Sequence, residues 1–148
     1  MKNNVIWFTG QSGAGKTTVV KELLKEFNAV MLDGDSMRAS ISLGAGFTRE
    51  ERREHNLRVA RLAKELSKQE ILVFVSVIAP MEEARKEIEE ICDPTWIYVK
   101  RTIAEREGHF YEEPKDVFTV DHDVLDVKAS VDKITKFIIN SKEIGVAE

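Results

Sequence analysis

Residues 5–18 read Val-Ile-Trp-Phe-Thr-Gly-Gln-Ser-Gly-Ala-Gly-Lys-Thr-Thr, and this stretch decides the fold. Its first five residues are apolar, aromatic or β-branched without alternation, which is typical of a strand covered on both faces. Residues 10–17 match the pattern G-x-x-x-x-G-K-[ST] in full, and a helical pattern starts at Lys16. A strand, a glycine-rich loop and a helix in this order predict a phosphate-binding (Walker A) loop.

Strand-like and helix-like segments alternate along the rest of the chain. The further strand-like segments are 29–32, 71–77, 96–99 and 117–120, and the helical patterns are 16–27, 48–67, 81–91, 103–106 and 131–139. This alternation predicts a three-layer α/β fold of the P-loop kinase type, with a parallel sheet of about five strands flanked by helices. Thr48 with Glu51 predicts a capping box, Pro80 a first-turn proline, and Ser130 a cap of the last helix.

The composition limits the class of protein. The chain has 148 residues, of which 43% are hydrophobic, and a net charge of −4, so we expect one domain over residues 1–148. No stretch concentrates positive charge enough to suggest a duplex-binding face, so no nucleic acid polymer is expected as a partner. Cys92 is the one cysteine and is expected to be buried. The apolar runs are too short for a membrane span or a signal-peptide core, so we expect no membrane association and a cytoplasmic location.

The glycine-rich loop predicts how a nucleoside triphosphate is held. Its glycines let successive backbone N–H groups point at phosphate oxygens. Lys16 is expected to reach the β- and γ-phosphates, and the Thr17 hydroxyl to ligate Mg²⁺. ATP and Mg²⁺ are therefore the expected cofactors. The candidate cofactor-binding residues are Gly10, Ser12, Gly13, Ala14, Gly15, Lys16, Thr17 and Thr18.

Two carboxylates, Asp33 and Asp35, follow the second strand. In α/β sheets, ligands bind at the carboxyl ends of the strands, where the phosphate loop also opens. Phosphoryl transfer to a hydroxyl needs a carboxylate to orient the acceptor and take its proton, and acidic support for Mg²⁺. Asp33 and Asp35 are therefore candidate catalytic residues together with Lys16, and Asp33 is a candidate metal ligand with Thr17. The alternative for the pair is a polar turn that caps the next helix.

Four further features each leave two interpretations open. Arg38 either holds an anionic acceptor or is solvated. Phe47 is either a hydrophobic staple on the next helix or an aromatic clamp. His55 either contacts the acceptor or is solvated. The segment 107–115, which includes Phe110 and Tyr111, is either a lid that closes over a site or a plain surface connection.

Several motifs resemble one known family. They are Trp-Phe-Thr-Gly-Gln-Ser-Gly-Ala-Gly-Lys-Thr-Thr (7–18), Leu-Asp-Gly-Asp-Ser-Met-Arg (32–38), Gly-Phe-Thr (46–48) followed by Arg52, and Val-Ser-Val-Ile-Ala-Pro (75–80). In this order they are similar to adenylylsulfate kinases, through about residue 91, with fainter similarity at 117–121 and in the final helix. The resemblance implies ATP-dependent phosphorylation of the 3′-hydroxyl of adenylylsulfate, giving 3′-phosphoadenylylsulfate, an activated sulfate donor for sulfate assimilation.

The resemblance also implies roles for particular residues. Asp33 and Asp35 are expected to handle the acceptor hydroxyl and the metal, and Phe47 to stack on the adenine of the acceptor. Arg38 and Arg52 are expected to grip its anionic groups. His55 and Asn56, which occupy the place of a family asparagine, are further candidate acceptor-binding residues. Arg106, which matches the start of the family's lid, is a further candidate cofactor-binding residue. The small-molecule acceptor and ATP are then the expected partners, and a homodimer is possible because dimers are common in the family.

The chain departs from the family pattern at positions that bear on the acceptor. Where the family has Ser-Pro, an aromatic residue or His, and then Arg, this chain has Ala79-Pro80-Met81-Glu82, although Arg85 matches a second arginine. Without that serine, transfer is expected to be direct, and a glutamate facing a sulfate would repel it. His55 and the short lid are further departures. They favour two alternatives: a kinase for another anionic nucleotide or nucleotide-linked metabolite, or an ATP-binding or ATP-hydrolysing regulatory module.

Overall fold

The computed structural model describes residues 4–104 and 110–141. The strands are β1 (Val5–Thr9), β2 (Ala29–Asp33), β3 (Leu72–Ser76), β4 (Thr95–Lys100) and β5 (Phe118–Asp121). The helices are α1 (Lys16–Leu23), α2 (Gly34–Arg38), α3 (Arg49–Lys68), α4 (Glu82–Cys92) and α5 (Val127–Asn140). The strands form one parallel sheet in the order β2-β3-β1-β4-β5. The predicted α/β fold with five parallel strands is confirmed.

Helices cover both faces of the sheet, as continuous apolar strands require. On one face, α1 and α5 pack in the same apolar cluster as Phe8 and Phe74. On the other face, α3 and α4 pack with Trp7 and Val73, and Cys92 is buried there as predicted. Neighbouring residues of a strand point to opposite faces, so β1 supplies both layers and is buried along its whole length.

One predicted helix start is confirmed, and it fixes the position of α3. Thr48 is the N-cap: its hydroxyl accepts a hydrogen bond from the backbone N–H of Glu51 (3.1 Å), while the Glu51 carboxylate accepts from the Thr48 backbone. Two orphan N–H groups of the first turn are thereby satisfied. The capping box predicted from these two residues is present.

Three predicted helix boundaries are wrong. Asp126, not Ser130, caps α5 and accepts from the backbone N–H of Ala129 (2.8 Å), so the helix begins four residues earlier than predicted. The N-cap of α4 is Met81, so Pro80 lies before the helix and not in its first turn. Helix α1 was predicted to extend to residue 27 but ends at Leu23. Backbone hydrogen bonds between residues three apart tighten the following residues into turns.

A short helix was also predicted over residues 103–106. Ile103 and Ala104 are not helical, and the other two positions lie outside the described residues. No helix in the part of the chain that the structure describes is long and apolar enough to cross a membrane.

The strand order places the functional segments next to one another. Strand β3 lies between β1 and β2, with Ser76 in register with both Phe8 and Asp33. The ends of β1, β3 and β2 therefore meet at one edge of the sheet, which we call the carboxyl edge. The phosphate loop, Ser76 and the Asp33–Asp35 segment all leave the sheet there.

The corrected cap of α5 can be tested with two alanine variants. Asp126→Ala is expected to lower the free energy of unfolding by about 1 kcal/mol, because it removes the cap bond. Ser130→Ala is expected to change it by less than about 0.5 kcal/mol, because the buried Ser130 hydroxyl has no hydrogen-bond partner among the described residues. Urea unfolding of both variants measures this. The reverse order of effects would show that Ser130 is the cap.

Candidate active site

The phosphate loop has the backbone that its glycines predict. Gly13 and Gly15 have φ values of 88° and 100°, a left-handed region that favours glycine, and Gly15 is the N-cap of α1. Lys16 is buried, and its ammonium group donates to the carbonyl oxygens of Gly10 (2.7 Å) and Gln11 (2.9 Å). Burial lowers the pKa of Lys16 to about 8. The ammonium is thus still mostly charged at pH 7, at the mouth of an anion-binding loop.

Thr17 and Ser76 bring two hydroxyl groups together beside the loop. Their Oγ atoms lie 3.4 Å apart, and Asp33 is next to Ser76 across the sheet. Oxygen donors of this kind fit Mg²⁺, which binds few protein ligands and keeps several waters. Ser76 enters the sequence analysis only within the motif at residues 75–80 and has no role of its own there. The available signal was a small hydroxyl residue at the end of a buried strand.

Asp33 caps α2, as one of the two interpretations predicted. Its carboxylate accepts hydrogen bonds from the backbone N–H (3.1 Å) and the hydroxyl (2.7 Å) of Ser36. Burial opposes ionisation, but the bonds from Ser36 outweigh it and lower the pKa of Asp33 below its ordinary value. The group is therefore a carboxylate at neutral pH.

Asp35 lies between two cavities. The phosphate cavity lies along the glycine-rich loop and is also lined by Thr17, Ser76 and Arg101. The second, which we call the arginine cavity, is lined by Arg38 and Arg52 together with His55 and Asn56. Gly34, Asp35 and Ile78 line both. Asp35 is thus the one carboxylate that borders both cavities among the described residues.

Two arginines and one phenylalanine shape the arginine cavity. Arg38 donates to the carbonyl oxygens of Ala45 (3.3 Å) and Gly46 (3.2 Å), and Arg52 donates through Nε to that of Phe47 (2.8 Å). Both guanidinium groups face the Phe47 ring, 4.4 and 5.4 Å from its centroid. Phe47 is 65% exposed and its ring contacts these two arginines, so the interpretation of Phe47 as a hydrophobic staple on α3 is wrong.

His55 and Asn56 are buried on the wall of this cavity, so the interpretation of His55 as a solvated residue is wrong. The Nδ1 atom of His55 lies 2.7 Å from Ser42 Oγ. Burial, with the nearby charges of Arg38 and Arg58, lowers the pKa of His55 to about 4, so it is neutral at pH 7. The Oδ1 atom of Asn56 is buried and has no hydrogen-bond partner among the described residues. A buried acceptor of this kind suits a ligand that brings a donor.

The departures from the family pattern occupy different places. Ala79 lines the arginine cavity, and its carbonyl accepts from Arg85 (2.7 Å). Glu82 does not line that cavity: its side chain is 67% exposed on the first turn of α4. The expectation that Glu82 would face and repel an anionic acceptor is therefore wrong. The helix turns this carboxylate outward.

The predicted lid is described only from Phe110 onward, since Arg106 and residues 107–109 lie outside the described residues. The hydroxyl group of Tyr111 is 2.7 Å from Thr9 Oγ1, and the backbone N–H of Glu112 donates to Pro80 (2.8 Å). Phe110 and Tyr111 line a small cavity together with Arg52 and the phosphate loop. The described part thus covers the carboxyl edge between the loop and α3.

Sequence reasoning missed two residues that touch the loop from the other side of β1. Arg101, after β4, donates to the carbonyl of Gly13 (3.0 Å). His122, after β5, places Nδ1 2.7 Å from the carbonyl of Ala14. No local pattern signals either contact, because 88 and 108 residues separate the partners.

Sequence comparison identifies relatives. The family model described as adenylylsulphate kinase matches residues 2–120. The probable adenylyl-sulfate kinase of Archaeoglobus fulgidus is 37% identical, covering 76% of this chain and 90% of that protein. The probable adenylyl-sulfate kinase of Aeropyrum pernix is 39% identical, covering 70% of this chain and 62% of that protein. The adenylyl-sulfate kinase of Deinococcus deserti is 40% identical, covering 68% of this chain and 59% of that protein. This chain thus spans about three-fifths of the length of two of these relatives.

Solved structures share the fold. The crystal structure of APE1195 is similar with a TM-score of 0.83 and 28% identity, covering 95% of this chain and 97% of that one. The Mycobacterium tuberculosis APS kinase CysC, solved in complex with AMPPNP and APS, has a TM-score of 0.78 at 22% identity, covering 94% and 99%. At that identity, the second likeness shows the fold alone.

The depressed pKa of His55 predicts an acid-dependent loss of stability. Between pH 6.5, the ordinary value, and about 4, the unfolded chain binds a proton at His55 that the folded chain does not. The contribution of His55 to the free energy of unfolding is therefore fully present above pH 6.5. As the pH is lowered toward 4, the free energy of unfolding falls by up to about 1.4 kcal/mol per pH unit. His55→Asn, which keeps a polar group near Ser42, is expected to lose this component. Urea unfolding at several pH values measures both slopes, and equal slopes would contradict the assignment.

Proposed function

This chain belongs to the adenylylsulphate kinase family, and from that premise we propose that it transfers the γ-phosphoryl group of ATP to the 3′-hydroxyl of adenylylsulfate. The products are 3′-phosphoadenylylsulfate and ADP. The observation that carries the proposal is the position of Asp35, which borders both the phosphate cavity and the arginine cavity. A group that takes a proton from an acceptor hydroxyl has to lie between the phosphoryl donor and the acceptor.

On the donor side, the phosphate loop binds the triphosphate of ATP through the backbone N–H groups at the start of α1. Lys16 exchanges its bonds to the Gly10 and Gln11 carbonyls for bonds to phosphate oxygens. Transfer of this kind depends on position and charge neutralisation more than on covalent chemistry.

The hydroxyl groups of Thr17 and Ser76 are the proposed protein ligands of Mg²⁺, and Asp33 supports the ion from the next strand. When bound, Mg²⁺ neutralises charge on the β- and γ-phosphate oxygens. The Asp33 carboxylate also caps α2, and through that helix it holds Asp35 in place. We therefore assign Asp33 to support of the metal and Asp35 to the acceptor hydroxyl.

On the acceptor side, Arg38 and Arg52 offer positive charge to the phosphate and sulfate of adenylylsulfate, and the exposed ring of Phe47 offers a stacking surface for its adenine. The buried Oδ1 of Asn56, which no described residue hydrogen-bonds, can accept from an N–H or O–H group of the ligand. The acceptor oxygen forms a bond to the γ-phosphorus, the bond from that phosphorus to the bridging oxygen of ADP breaks, and the acceptor proton passes to Asp35. Ala79 carries no hydroxyl, so transfer is direct.

One of the departures that favoured a different acceptor or a regulatory module no longer supports those alternatives. Glu82 points away from the arginine cavity, so it gives no reason for a different acceptor. Ala79 and His55 do line the cavity, and the test below therefore includes other anionic nucleotides. A homodimer stays a prediction from the family resemblance.

The central test measures ADP release with Mg-ATP in the presence of no acceptor, adenylylsulfate, or a panel of other nucleotides and nucleotide-linked metabolites, with product mass checked for one added phosphate. Release that requires adenylylsulfate is the expected result.

Asp35→Asn is expected to lower kcat by about 10² to 10⁴ without changing the Kd for MgADP. Lys16→Ala is expected to weaken MgADP binding itself.

Asp132→Asn, on the exposed face of α5, is the matched control for the loss of a carboxylate. ATP hydrolysis that is independent of every acceptor, with Asp35→Asn active, would favour a regulatory module and contradict the proposal.

The metal assignment predicts a separate effect. Ser76→Ala is expected to raise the Mg²⁺ concentration for half-maximal activity by about tenfold, because a proposed oxygen ligand is lost. Ser130→Ala, which also removes a buried hydroxyl, is the control and should leave that concentration unchanged. Titration of activity with Mg²⁺ at saturating ATP measures both. An unchanged Mg²⁺ requirement in Ser76→Ala would remove Ser76 from the site.

A further inference from the structure

We infer that His122 is a positioning residue for the phosphate loop, whose ring holds the Ala14–Gly15 peptide so that the Gly15 N–H points at the bound phosphates. The inference rests on one part of the proposed function, which is that the phosphate loop binds ATP, and it does not depend on the identity of the acceptor. His122 lies beyond the residues matched by the family model, which end at residue 120. It follows β5, and its own backbone N–H donates to the carbonyl of Lys100 (2.7 Å), which ties it to the end of β4.

The hydrogen bond of the ring defines which nitrogen carries the proton. The Nδ1 atom lies 2.7 Å from the carbonyl oxygen of Ala14. A carbonyl oxygen can only accept, so Nδ1 is assigned as the donor of this bond. Nε2 is buried and has no hydrogen-bond partner among the described residues. Within the described part of the chain, the ring therefore makes one hydrogen bond, and its partner is the phosphate loop.

The geometry of the peptide unit transmits this bond to the phosphate side. The Ala14 carbonyl and the Gly15 N–H belong to the same planar trans peptide and therefore point in opposite directions. Holding the carbonyl toward His122 aims the Gly15 N–H away from the ring. Gly15 lines the phosphate cavity, whereas His122 is not among its described lining residues. One bond behind the loop therefore orients a donor on its ligand-binding side.

Gly15 and His122 also depend on each other sterically. A Cβ atom at position 15 would lie 2.8 Å from Nδ1 of His122, closer than real Cβ atoms come, and 3.0 Å from Cε1, which is also a tight contact. The ring therefore occupies the space that only a glycine leaves open. Glycine is therefore needed at position 15 for two reasons: the backbone φ of Gly15 is 100°, and the His122 ring approaches its Cα closely.

The inference is tested by calorimetric binding of MgADP and of magnesium tripolyphosphate to the full chain, without any acceptor. His122→Leu removes the donor at similar volume and is expected to raise both Kd values by about tenfold. His122→Asn places an amide N–H near the position of Nδ1 and is expected to stay within about twofold of the wild type. In turnover, the KM for ATP should rise in His122→Leu while the KM for the acceptor stays constant.

Three results would overturn the inference: unchanged binding in His122→Leu, equal losses in His122→Leu and His122→Asn, or a loss for MgADP without one for tripolyphosphate, which would place the ring against the base. If His122→Leu does not fold, His122→Gln replaces it, because its amide lies near Nε2 and should fail to rescue binding.

The test separates the two proposals. A wild-type protein that binds MgADP but leaves adenylylsulfate unphosphorylated overturns the proposed function and leaves the role of His122 to the binding data. A wild-type protein that binds neither ligand overturns both.

Discussion

The parallel direction of all five strands is the constraint on which this structure depends. Because every strand ends at the same edge, five separate chain segments deliver functional groups to one place. Strand β1 contributes the phosphate loop, β2 the carboxylates of Asp33 and Asp35, and β3 the hydroxyl of Ser76. Strand β4 places Arg101 at the phosphate cavity, and β5 places His122 behind the loop. The site is thus a property of the sheet edge, and no single motif contains it.

The arginine cavity holds two positive charges close together, an arrangement that favours the binding of an anion. Arg38 is partly desolvated and lies near Arg52, and both effects lower the pKa of Arg38. Each guanidinium is held by carbonyl oxygens of the segment before α3 and by the face of Phe47, so the two like charges are kept close. An anionic group placed between them relieves this repulsion. The proposed acceptor carries two such groups.

Sequence reasoning succeeded where the signal is local. The phosphate loop and the box of Thr48 and Glu51 are defined by short spacings, and the strands by unbroken apolar runs. It failed where several residues could serve equally, as with Asp126 and Ser130, which both precede plausible helical turns. The roles of Ser76 and His122 and the outward direction of Glu82 depend on contacts between distant segments, which local spacing does not encode.

The strand order also sets the order in which this chain can fold as it leaves the ribosome. Strands β1 and β2 do not pair with each other, and both pair with β3, which begins at Leu72. Until that segment is synthesised, no strand pair of the sheet can form, although the glycine-rich loop emerged first. The nascent chain therefore exposes the segments of β1 and β2 until the segment of β3 has been synthesised. A chaperone that binds short apolar stretches has its main opportunity in this interval.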